Sequence, residues 1–139
     1  AKHLNASAYY PFGGPPFEPF IGWAIASGRA HVSPVGLLVH DRAGLFVSFR
    51  GALGFTEQLD CPPVPPNPCL ACNDTPCVTA CPVDALKPDG YDVSACKTDL
   101  DRGGNTCMAR GCAVRRACPV SQAYGRVDDQ SAFHMRAFK

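Results

Sequence analysis

The sequence predicts an α+β protein: a small β-hairpin-containing base joined to a loop-rich module organised by cysteines. Three observations carry that expectation. Two apolar runs, VGLLVH and LFVSFRGAL, flank the turn Asp41-Arg42-Ala43-Gly44, which is the pattern of a β-hairpin. A stiff proline-rich stretch, CPPVPPNP, interrupts the chain from Cys61 to Pro68. Eight of the nine cysteines then follow between Cys69 and Cys118. The organisation read from these signals is a base at 1–60, a connector at 61–68, a cysteine module at 69–120 and a C-terminal strap at 121–139.

Taken in order, Tyr9 to Phe20 (YYPFGGPPFEPF) cannot form a continuous helix, because each proline lacks an amide donor, and reads as an extended, packed strap. Glu18 to Arg29 predicts a short helix with Pro19 in its first turn and Gly28 near its end, and Trp23 reads as a core residue on it. Strands are expected near 35–40 and 45–50. In the second, Leu45, Val47 and Phe49 alternate with Phe46, Ser48 and Arg50, so the strand should be half buried. Short helical turns are expected after Pro76 and around Val83 to Leu86. The spacing of Ala123, Tyr124, Phe133, Met135 and Phe138 predicts a strap or short helix that packs back on the base.

At 139 residues the chain suits one ordinary domain, or a small metal-bound module on a modest base, and two large cores are excluded. The formal net charge of +1 gives no basic excess of the kind that anchors nucleic acid or an anionic membrane. No run of eighteen apolar residues exists, so no membrane span is expected, and residues 1–10 lack the order of a signal peptide. A soluble, cytoplasmic protein is the expectation. The chain begins at Ala1 without methionine, so N-terminal truncation of the base is expected to be open.

Nine cysteines are the informative number. Cys69, Cys72, Cys77 and Cys81-Pro82 form C-x2-C-x4-C-x3-C-P, close to the two-cluster iron-sulfur run C-x2-C-x2-C-x3-C-P but two residues longer before the third cysteine. Cys96, Cys107, Cys112 and Cys118-Pro119 follow with spacings of ten, four and five residues, and the last again carries proline. Proline after the final ligand fixes φ and turns the chain away, so each run lends its last thiolate to the cluster built by the other. That crossing rule assigns one [4Fe-4S] cluster to Cys69, Cys72, Cys77 and Cys118. It assigns a second to Cys81, Cys96, Cys107 and Cys112. Gly103, Gly104 and Gly111 lie where the chain must bend round sulfur, and their alternative reading is plain loop glycine.

Zinc is the rival metal, since eight cysteines could build two all-thiolate tetrahedra, but only one C-x2-C pair exists here and both groups end in Cys-Pro. A disulfide scaffold fits less well, given an odd cysteine count and no secretory signal. Cys61 stands apart from both runs and reads as a buried or spare thiol.

The stretch CLACNDTPCVTACPVDAL resembles the cluster-binding loop of bacterial dicluster ferredoxins, and the later GC-x5-CP at Gly111 to Pro119 supports the likeness. The unequal second group is similar to the ferredoxin-like domain of epoxyqueuosine reductases and reductive dehalogenases. Upstream, SPVGLLVHDRAGLFVSFRGAL is similar to a strand pair in cobalamin-processing proteins of the decyanating type. The x4, x10, x4 and x5 spacings depart from the usual reductase pattern. The resemblance implies an electron carrier with two [4Fe-4S] clusters, passing single electrons between redox protein partners, and not an enzyme. The alternative is an electron-input domain of a cobalamin-dependent reductase.

His31, His40 and His134 are candidate ligands or proton carriers, although scattered single histidines are more often packed or solvent-facing, and His3 reads as part of a mobile end. Arg102, Arg110, Arg115 and Arg116 surround the second cysteine group, where positive charge would favour reduced clusters or dock an acidic partner; six nearby aspartates offset them. No catalytic residues of the hydrolytic kind stand out.

Overall fold

Three two-stranded antiparallel sheets and six α-helices make up the regular structure of the computed structural model, which describes residues 4–139. The fold is α+β at that level. Strand β1 (Ala6–Tyr9) pairs with β4 (Ala52–Phe55), Ala6 opposite Phe55. Between them, helix α1 (Phe20–Ala26) leads through Gly28, at φ +69°, into β2 (Ala30–Val32), which pairs with β3 (Leu38–His40). A 3₁₀ turn at Pro68–Ala71 opens the cysteine module. The minimal hairpin β5 (Leu86–Lys87) and β6 (Gly90–Tyr91) follows.

Five helices complete the chain. Helix α2 (Val93–Leu100) starts where the Asp92 carboxylate accepts the Ala95 amide at 2.8 Å. Short helices α3 (Cys107–Arg110), α4 (Ala113–Ala117) and α5 (Pro119–Tyr124) carry or flank the later cysteines, and Pro119 suits the first turn of α5 because its missing amide would be unpaired there. Helix α6 (Asp128–Phe138) has Asp128 and Asp129 in its first turn and Arg136 in its last, the charge order that complements a helix dipole. No helix among the described residues is long and apolar enough to cross a membrane.

The expected hairpin of 35–40 with 45–50 does not form. Residues 38–40 are a strand, but they pair upstream with β2, and only a single bridge links His40 to Gly44. The backbone of 45–46 is hydrogen-bonded elsewhere. The Leu45 amide donates to Ser121 Oγ at 2.9 Å, the Leu45 carbonyl accepts from Arg115 at 2.5 Å, and the Phe46 carbonyl accepts from Arg126 at 3.3 Å. A segment whose ladder groups are satisfied by side chains of the later helices has no need of a partner strand. Gly44 permits this approach: its φ is +56°, and a Cβ there would collide with the Ser121 backbone.

Four smaller expectations are also corrected. The Tyr9 to Phe20 segment is turn-rich, and its Tyr10, Phe12 and Phe17 rings lie open to solvent. Trp23 is not a core residue; it is exposed at the surface, edge-on to Tyr9 with ring centres 5.7 Å apart. Leu86 belongs to β5 instead of a helical turn, because its partner Tyr91 follows a two-residue reversal. The tail packs not on the base alone: Ser121 and Arg126 bond Leu45 and Phe46 there, while α6 packs on α3 of the cysteine module, with Met135 buried and Phe133 and Tyr124 exposed.

The core is shared between the first and last parts of the chain. Val35, Val39 and Leu45 pack with Cys77, Leu86, Val114 and Cys118, while Leu100, Cys107 and Met135 form a second cluster beside Cys96 and Cys112. Thiols thus sit inside both clusters. Among the described residues, only Leu45, Val39 and Val114 are large apolar side chains almost wholly removed from water, each stabilising the fold by about 1.5–3 kcal/mol.

Candidate metal centre

The eight cysteines of the module line two separate cavities, four to each. Cys69, Cys72, Cys77 and Cys118 face a cavity of about 250 Å³ walled by Val39, Leu45 and a set of prolines. Cys81, Cys96, Cys107 and Cys112 enclose a much tighter space, about 20 Å³, against Leu100, Val114 and Met135. The last cysteine of each run therefore faces the cavity of the other run.

Local chemistry sets these positions. Asn67 Oδ1 accepts the Cys69 amide at 3.0 Å and starts the 3₁₀ turn, and the Cys72 amide closes back on the Cys69 carbonyl at 3.2 Å. Cys118 is extended, at φ −64° and ψ 124°, and Pro119 redirects the chain into α5, so the thiol points back to the earlier loop. In the second group, Asn105 Oδ1 accepts the Cys107 amide at 2.7 Å, while the Ala85 amide donates to Cys81 Sγ at 3.2 Å. Gly111, at φ +87°, lets α3 end beside α6, where a Cβ would strike Ser131. Gly104 also has positive φ, and Gly103 does not.

Electrostatics show how closely the thiols influence one another. Burial pushes the Cys69 thiol above its usual value, and Cys118, Cys77 and Cys72 add to the rise. Burial likewise raises Cys77, with Cys118 adding, against the amides of Cys77 and Val78. Cys107 is raised by burial, against the Ala113 amide and Arg116. Metal uptake at these positions must therefore displace protons.

No family model, curated protein or solved structure matches the chain. The reading of the site rests on its own geometry and chemistry. Among the described residues, no group of three or more His, Cys, Asp or Glu side chains is placed so that it could hold a metal ion.

Ser33 tests whether the first cavity suits an iron-sulfur group. Its hydroxyl is buried, lines that cavity and has no hydrogen-bond partner. A buried donor without a partner costs about 1–3 kcal/mol, and a sulfur acceptor among the four thiolates would remove that cost. Donor set and orphaned hydroxyl both fit the group.

The remaining candidates fall outside the cavities. Cys61 is exposed, not buried, and donates weakly to the Leu59 carbonyl. His40 Nδ1 accepts the Arg42 amide, and His31 Nε2 is buried without a partner. Arg102 and Arg110 pair with Asp99 and Asp128, while Arg116 bonds the Gly111 carbonyl. Sequence reasoning did not find Ser33 or Tyr91. Desolvation of the Tyr91 hydroxyl and its hydrogen bond with Cys96 push it well above the usual phenol range. Tyr91 lies five residues before a cysteine, which was the one available signal; Ser33 offered none.

Proposed function

We propose that this chain is an electron carrier holding two [4Fe-4S] clusters, one on Cys69, Cys72, Cys77 and Cys118 and the other on Cys81, Cys96, Cys107 and Cys112. The observation that supports it is the sorting of eight thiols into two cavities, with each terminal Cys-Pro thiol facing the other run's cavity. When bound, each cluster accepts and returns one electron.

The residues supply the surroundings for that exchange. Val39 and Leu45 keep water from the first cavity, and Leu100, Val114 and Met135 from the second. The Ala85 amide donates to Cys81 Sγ, and the unpartnered Ser33 hydroxyl would donate to sulfur of a bound group, which favours the reduced state. Val114 is shared by both clusters' surroundings, belonging to the first apolar core and lining the second cavity.

Anaerobic preparation followed by iron, acid-labile sulfide and EPR analysis tests the reading. About eight irons per chain, with signals from two reduced clusters, support it. Colourless protein, or protein holding zinc in place of iron, overturns it. Uptake of a cobalamin would show instead that the chain is the electron-input part of a reductase.

A further inference from the structure

A third cavity, of about 220 Å³, opens between the 46–48 segment, Tyr91 and helix α6. Arg115, Arg126 and His134 line it, and Cys96 and Cys112 form one edge. Each guanidinium is anchored by one hydrogen bond to a backbone carbonyl, Arg115 to Leu45 and Arg126 to Phe46. An arginine carries five N–H donors, so most remain available. Among the described residues neither guanidinium meets a carboxylate.

Arg126 is held firmly in this unpaired state. Its guanidinium carbon lies 5.0 Å from the centre of the Phe46 ring, and its Nε is buried without a hydrogen-bond partner. Burial lowers the Arg126 value, and Arg115 and Arg50 lower it further. His134 is lowered first by burial, then by Arg126, Arg50 and Arg115. Arg115 and Arg50 thus repel Arg126, and all three guanidinium groups act against charge on His134. If tying down residues 45–46 were their whole role, one bond per arginine would suffice, and a buried, unpartnered Nε would be a pure loss.

We propose that this cleft binds a small organic oxyanion, a molecule bearing a carboxylate or phosphate group, with its oxygens on Arg115, Arg126 and His134 and its body against Phe46. Guanidinium forks match the geometry of both groups, and an oxyanion relieves the repulsion among the arginines. The site borders the second group of thiols, so its occupant sits beside Cys96 and Cys112. The inference concerns binding alone and does not depend on which metal those thiols hold.

Calorimetric titration of the anaerobically purified full chain tests it, with inorganic phosphate and succinate as separate probes and chloride as control. One saturable site for phosphate assigns phosphate chemistry, and one for succinate assigns carboxylate chemistry. Arg126→Gln should weaken that binding about tenfold or more, the loss of one charge-assisted hydrogen bond. His134→Gln should weaken it about fivefold, and Arg102→Gln should leave it unchanged. If Arg126→Gln fails to fold, His134→Gln carries the comparison. Absence of saturable binding by both probes, or equal binding by wild type and His134→Gln, overturns the proposal.

Discussion

Replacing Ser33 with alanine separates the effect of the bound group from that of the fold. In the metal-free chain the Ser33 hydroxyl is buried without a partner, so its removal should leave stability unchanged or raise it by up to about 1–3 kcal/mol. On the proposed reading, the hydroxyl of the loaded protein would donate to sulfur, and that bond would strengthen as an electron arrives. If the reduced state gains about 0.5–1.5 kcal/mol more from it than the oxidised state, the first cluster's midpoint falls in Ser33→Ala by about 20–65 mV. The sign follows from the donor: losing it destabilises the more negative state. EPR-monitored potentiometry reads the midpoint, and a Cys107→Ala background isolates the first cluster. A first-cluster midpoint unmoved by Ser33→Ala, or an equal fall in both clusters, would refute the placement of this hydroxyl against the first group.

Cys118→Ala should abolish the first cluster and spare the second, leaving about four irons per chain by colorimetric assay, although Cys118 belongs to the later run in sequence. Leu45→Ala should destabilise the protein by about 2–5 kcal/mol in denaturant titration, since Leu45 is almost fully buried against Val39 and Val114. Asp41 gives the pH test. Burial pushes its carboxyl up, but the Arg29 hydrogen bonds and the charges of His40 and Arg29 outweigh that and hold it below the ordinary value. Its contribution is therefore present above about pH 4 and lost as pH falls through the folded value, and Asp41→Asn should remove that acid-dependent loss from thermal melts. Stripping metal with a chelator under anaerobic conditions should lower the melting temperature sharply, because thiols occupy both apolar clusters.

What the sequence made legible was punctuation. Pro19 and Gly28 bounded α1, and the turn after Pro76 was readable from its proline. The cysteine spacing separated two groups because Cys-Pro is a local signal, acting through a missing amide and a fixed φ. The hairpin failed for the opposite reason. Whether Leu45 pairs with a strand or with Ser121 depends on a residue 76 positions away, and no local pattern encodes that choice. Trp23 misled because its size suggests a core, whereas it shares a surface aromatic cluster with Tyr9 and Phe20. Ser33 and Arg126 were invisible, since each is singled out by a partner it lacks.

The link between Leu45 and Ser121 also explains why the early segment matters to a centre whose cysteines all come later. Leu45 fills the first apolar cluster and walls the first cavity, and its amide and carbonyl are held by Ser121 and Arg115, on the two helices that flank Cys118. Removing Cys118 from its place would therefore disturb Leu45, and loosening Leu45 would free Cys118. On the proposed reading, cluster binding and docking of the early segment would be one coupled equilibrium, since a ligand that fixes four thiols also fixes the packing around them. The coupling would run through the Ser121 hydroxyl and the Arg115 guanidinium, which hold the Leu45 amide and carbonyl. Binding at the first cavity should consequently be felt by the Arg115 side of the oxyanion cleft, which shares the Leu45 carbonyl as its anchor.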